Sequence, residues 1–104
     1  MATTTKVFYR GAAATSNTTL YTAPTTGTTA VITNIAITNT AGSSATSTIN
    51  IDGVAVLSGT SIAANTTVFI DLKQVLPAAN PAKTISGSAS ATTVNFHISG
   101  VEIV

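Results

Sequence analysis

The sequence predicts an all-β chain, an antiparallel β-sandwich of about eight strands wound as a jelly roll or similar Greek key, with a small barrel as the alternative. Three observations carry this reading. Apolar residues alternate with polar ones at a period of two in segment after segment, which places them on one face of a strand. Turn-forming residues separate those segments at short intervals. No stretch repeats its apolar residues at the 3.6 spacing of a helix.

The longest β-type run, Ala30–Thr40 (AVITNIAITNT), is expected to be the central strand. Its phase puts Val31, Ile35 and Ile37 in the core, with Thr33 between them, and Ala30, Ile32, Asn34, Ala36 and Thr38 on the other face. Before it, Met1–Thr5 is small and polar and reads as a mobile arm. Lys6–Arg10 alternates as a first short strand, with Val7 and Tyr9 on one face and Lys6, Phe8 and Arg10 on the other. Residues 1–10 thus form an arm with one short strand, and residues 11–104 a single sandwich domain. Gly11–Asn17 reads as a linker and Thr18–Thr22 as a second strand anchored by Leu20. Pro24 ends that strand because it has no N–H for the ladder.

Beyond the central strand, Thr46–Ile51 and Val54–Leu57 flank Asp52-Gly53, the strongest hairpin signal in the chain. A type I′ turn there sets Ile51 opposite Val54 and places Ile49, Ile51, Val54 and Val56 on one face. Ser58–Asn65 reads as a crossing loop around Ile62. Thr66–Leu72 is a strand with Val68, Ile70 and Leu72 inward and Phe69 and Asp71 outward, and Lys73–Leu76 is expected to form one helical turn. Pro77 and Pro81 bracket a loop. Thr84–Ala89 follows with Ile85, Gly87 and Ala89 on one face, the small residues implying a bend or a close approach. In the last strand, Thr93–Val104, Val101 and Ile103 are out of phase with Val94, Phe96 and Ile98, so a bulge at Ser99-Gly100 is expected to bring all five inward.

Composition narrows the function. The chain has no cysteine, hence no disulfide frame or thiolate chemistry. The start MATTTK lacks the apolar segment of a signal peptide, and no apolar run reaches membrane-spanning length. Net charge is +1 and Lys6, Arg10, Lys73 and Lys83 are scattered, which leaves no field for nucleic acid. Only 7% of residues are charged, against roughly 25–35% on an ordinary soluble surface. Thr, Ser and Asn must therefore supply the polar surface, either as the exterior of a monomer or, the favoured reading, as surface covered in an assembly.

Candidate chemistry is sparse. The acids are Asp52, Asp71 and Glu102, at spacings that force no pair together, and His97 is the sole imidazole. No P-loop, G-x-G-x-x-G or G-x-S-x-G motif is present, so neither catalysis nor a cofactor is expected. His97 points away from the Phe96 face as a partly exposed strand histidine; on a three-fold axis, copies of it could cluster to bind a metal or switch charge with pH. The strand phase points Phe8 and Phe69 outward, which makes them contact candidates.

From Leu20 onward the chain resembles small proteins encoded by tailed bacteriophages. The residues that carry the likeness are LYTAPTTGTTAVITNIAITNT, INIDGVAVLSGTSIAANTTVFIDLKQVL and VNFHISGVEIV. That resemblance implies a β-sandwich virion component without catalytic residues. Its partner would be the major capsid protein and its place the outer capsid surface, with a tail or fibre component that touches host glycan as the alternative. A lone carbohydrate-binding domain is disfavoured by the few aromatics. The arm Met1–Arg10 would reach a capsid subunit or a sister copy, with Phe8 as apolar anchor and Lys6 and Arg10 as polar rim. Low charge and two outward aromatics favour a closed homo-oligomer, and the three-fold positions of capsid lattices suggest a trimer.

Overall fold

A computed structural model describes residues 2–104. The chain folds as one long hairpin with its tip at Asp52-Gly53. Both tip residues have positive φ (54° and 74°), as a type I′ turn requires, and Ile51 lies opposite Val54 as expected. Four strands lead to the tip: β1 (Thr3–Ala12), β2 (Thr18–Thr22), β3 (Thr29–Asn39) and β4 (Ala45–Ile51). Four lead away: β5 (Val54–Ile62), β6 (Thr66–Leu76), β7 (Thr84–Ala89) and β8 (Val94–Ile103). Each strand before the tip pairs antiparallel with its counterpart after it: β4 with β5, β3 with β6, β2 with β7 and β1 with β8. Rolling the hairpin adds the β3–β8 and β4–β7 ladders. Two four-stranded sheets result, ordered β1-β8-β3-β6 and β2-β7-β4-β5. This is the jelly-roll form of the sandwich.

Between the sheets, Ile32, Ile35, Ile37, Ile49, Ile62, Leu76, Ile85, Val94, Phe96 and Ile98 are buried. Gly87 brings β7 close to β4 and to the Phe96 ring: a Cβ there would stand 2.7 Å from the Thr48 carbonyl oxygen. Of the bend or close approach expected in this strand, the close approach is present.

Several local expectations are corrected. The residues expected to be a mobile arm are edge strand: Thr3–Thr5 pair with Ile103–Val101, and Ala2 and Val104 exchange two backbone hydrogen bonds. Met1 lies outside the described residues. β1 continues through Ala12, part of the expected linker. The Ile62 loop is the end of β5, and Lys73–Leu76 is the end of β6 rather than a helical turn. Val54 and Val56 are exposed because β5 is an edge strand and its ladder with β4 shifts register around Val56.

The phase of the central strand breaks at Thr33. That residue is extra relative to β8, so Ala30 and Ile32 face inward before it, Ile35 and Ile37 after it, and Val31 turns out. The bulge expected in β8 at Ser99-Gly100 therefore lies in its two neighbours, at Thr33 of β3 and Phe8 of β1. β8 itself alternates regularly, with Gly100 inward and Val101 and Ile103 on the outer face, half-buried. Glu102 points between the sheets, where it meets Tyr21 of the other sheet.

Candidate functional surface

The β1-β8-β3-β6 sheet presents its outer face as transverse rows, each with one residue per strand. Arg10, His97, Ala36 and Phe69 are cross-strand neighbours in one row. Val7, Ser99, Asn34 and Asp71 form the next, and Thr5, Val101, Val31 and Val75 the one beyond the bulges. Period-two alternation puts these side chains on one face, and the three ladders align them. Three of the five contact candidates, Arg10, His97 and Phe69, thus meet in a single row, although they are 87 residues apart at most in sequence.

Phe69 is the apolar end of that row and is 72% exposed. At the other end Arg10 Nε donates to His97 Nδ1 at 3.2 Å, which requires an unprotonated Nδ1 and leaves Nε2 to carry the ring proton. Lys6, opposite Gly100, is exposed beside the β1 bulge. There a shallow depression of about 370 Å³ opens between Val7, Thr33 and Val101. A second depression, of about 540 Å³, lies beyond Thr33 against Asp71 and Lys73. The bulges thus interrupt an otherwise pleated surface.

Phe8, the fifth candidate, is not a contact residue. As the extra residue of the β1 bulge it turns inward, is 6% exposed and packs on Tyr21 with ring centroids 4.6 Å apart at 57°. One of the two aromatics that favoured a homo-oligomer is therefore interior.

The remaining ionisable groups are dispersed. Asp52 holds the hairpin tip and pairs with Lys83 at 3.2 Å, a half-exposed bridge of small energetic value. Asp71 accepts from Asn34 Nδ2 at 3.5 Å. Glu102 accepts from the Tyr21 hydroxyl at 2.7 Å; desolvation, that hydrogen bond and the carboxylate charge all push the Tyr21 pKa above the ordinary phenol value. No group of three metal-ligating side chains occurs among the described residues.

Sequence reading missed Val7, Val54, Val56 and Val75, all exposed. Val54, Val56, Phe69 and Val75 lie on β5 and β6, the edge strands that adjoin along one side of the sandwich. Edge position follows from the rolled topology, which alternation within a strand does not encode. The sequence matches no protein-family model and no curated protein.

Proposed function

We propose that the chain is a non-enzymatic structural protein of a tailed-bacteriophage virion. It binds the major capsid protein on the outer surface of the head through the outer face of the β1-β8-β3-β6 sheet. The observation that carries this reading is the Arg10–His97–Ala36–Phe69 row: an exposed phenyl ring at the end of a sheet face whose three rows carry two charged side chains, Arg10 and Asp71. Such a face suits a partner that buries it, because little charge must be desolvated on contact. The phage-like segments from Leu20 onward supply the partner class. The sandwich acts as a cement, and copies also associate with one another.

Binding of the purified chain to undecorated heads at low and high salt tests this. The proposal expects saturable binding that changes little with salt, since few charges take part, and a clear loss in Phe69→Lys. Absence of binding, or binding that collapses with added salt, contradicts it.

A further inference from the structure

We infer that the β6 edge pairs antiparallel with the β6 edge of a second copy of this chain, about a two-fold axis at Phe69. β6 has β3 as its one ladder partner. Among the described residues, no turn, loop or side-chain hydrogen bond reaches the main chain of Thr66–Leu76. Its edge-facing N–H and C=O groups are therefore open to another strand.

The other three edges carry features that discourage such pairing. β1 has the Phe8 bulge flanked by Lys6 and Arg10. β2 is five residues long and bulged at Leu20. β5 shifts register twice and has Gly59 at positive φ. β6 also shifts register, at Leu72–Lys73, but its stretch Thr66–Asp71 pairs with Asn39–Asn34 without a shift and contains no proline, glycine or lysine. Bulges, short length and lysines are how sheet edges avoid pairing with other chains.

The occupant follows from the sequence of this stretch, which complements itself. Pairing centred on Phe69 sets Phe69 against Phe69 of the second copy on the outer face, with Thr67 against Asp71. On the inner face Val68 meets Ile70 and Thr66 meets Leu72. Aromatic meets aromatic, hydroxyl meets carboxylate and Val68 meets Ile70, and the one mixed pair is Thr66 with Leu72. Centring on Ile70 would set Phe69 against Asp71, and centring on Asp71 would set two carboxylates together. A slip by one residue would turn the inner face outward. The product is a continuous eight-stranded sheet in a closed two-fold dimer, a different assembly from the trimer that the capsid-lattice analogy suggested.

Sedimentation of the full chain over a range of concentrations tests the pairing without reference to any particle. A monomer–dimer equilibrium is expected. Phe69→Lys should weaken it by at least about tenfold, whereas Val7→Lys, on the opposite edge, should leave it intact, with circular dichroism showing both variants folded. Because the chain has no cysteine, Phe69→Cys gives a unique thiol. Mild oxidation should convert it to a covalent dimer far faster than Val7→Cys. A species that stays monomeric at high concentration, a trimer, or equal cross-linking of the two cysteine variants would overturn the inference.

Discussion

The Phe8 ring occupies the space that a side chain at Gly100 would need. A Cβ at Gly100 would stand 2.8 Å from Phe8 Cε2 and would overlap the Val31 carbonyl oxygen. The two bulges explain why. The extra residue in β1 turns Phe8 inward, the extra residue in β3 presses the Val31 carbonyl toward β8, and a glycine on the regular middle strand accommodates both. Gly100→Ala should therefore destabilise the fold by at least about 2 kcal/mol, as overpacking against backbone that cannot yield. Chemical denaturation measures it, and a loss below a few tenths of a kcal/mol would contradict the packing described.

Removal of residues 1–10 should unfold the protein or leave it barely stable. The deletion takes away most of an edge strand, the Phe8–Tyr21 contact and the cover over β8. Phe8→Ala alone should cost about 3–5 kcal/mol, against a typical total of about 5–15 kcal/mol. A truncated chain with an unchanged thermal midpoint would restore the mobile-arm reading.

Two buried polar side chains should respond in opposite ways to removal. Asn39 is fully buried and satisfied: its Nδ2 donates to the Ser43 and Ile62 carbonyls at 2.8 and 3.1 Å, and its Oδ1 accepts from the Ala41 N–H at 3.1 Å. It ties the β3–β4 loop to the end of β5. Asn39→Leu strands those main-chain groups and should cost on the order of 3 kcal/mol. Ser47 Oγ is buried with no hydrogen-bond partner among the described residues, so Ser47→Ala should be neutral or stabilising by up to about 1 kcal/mol. Denaturation midpoints of the two variants check both signs.

Tyr21 makes stability depend on alkaline pH. Its pKa is raised in the folded state by desolvation first and then by Glu102. Below the ordinary phenol pKa, about 10, the phenol is neutral folded or unfolded and the contribution is fully present. As pH rises above that value the unfolded chain ionises first, and stability is lost. In a Tyr9→Phe background, phenolate absorbance should report Tyr21 ionising at higher pH in the folded protein than in denaturant. Tyr21→Phe should flatten the alkaline fall in stability. Equal titration in the two states would remove this role.

Period-two alternation made most of the fold legible, because each of β3, β4, β6, β7 and β8 buries one face. The Asp52-Gly53 turn located the hairpin tip through its backbone requirement. What alternation could not show is where the phase breaks. Phe8 and Ile32 were placed on the wrong face because a bulge in β1 or β3 depends on what lies beside the strand, here Gly100 and its neighbours on β8. The outer-face row was only partly legible: Phe69 and His97 show their outward phase in sequence, but their alignment with Arg10 exists only once β1, β8, β3 and β6 are side by side. The open β6 edge is likewise a property of strand order.

The most direct test of the proposed role is to image purified phage particles incubated with this protein and locate its eight-stranded density. Many copies are expected on the outer surface of the head, with the Arg10–His97–Ala36–Phe69 face against the major capsid protein. Density confined to a few copies at the tail, or none on the particle, would contradict it.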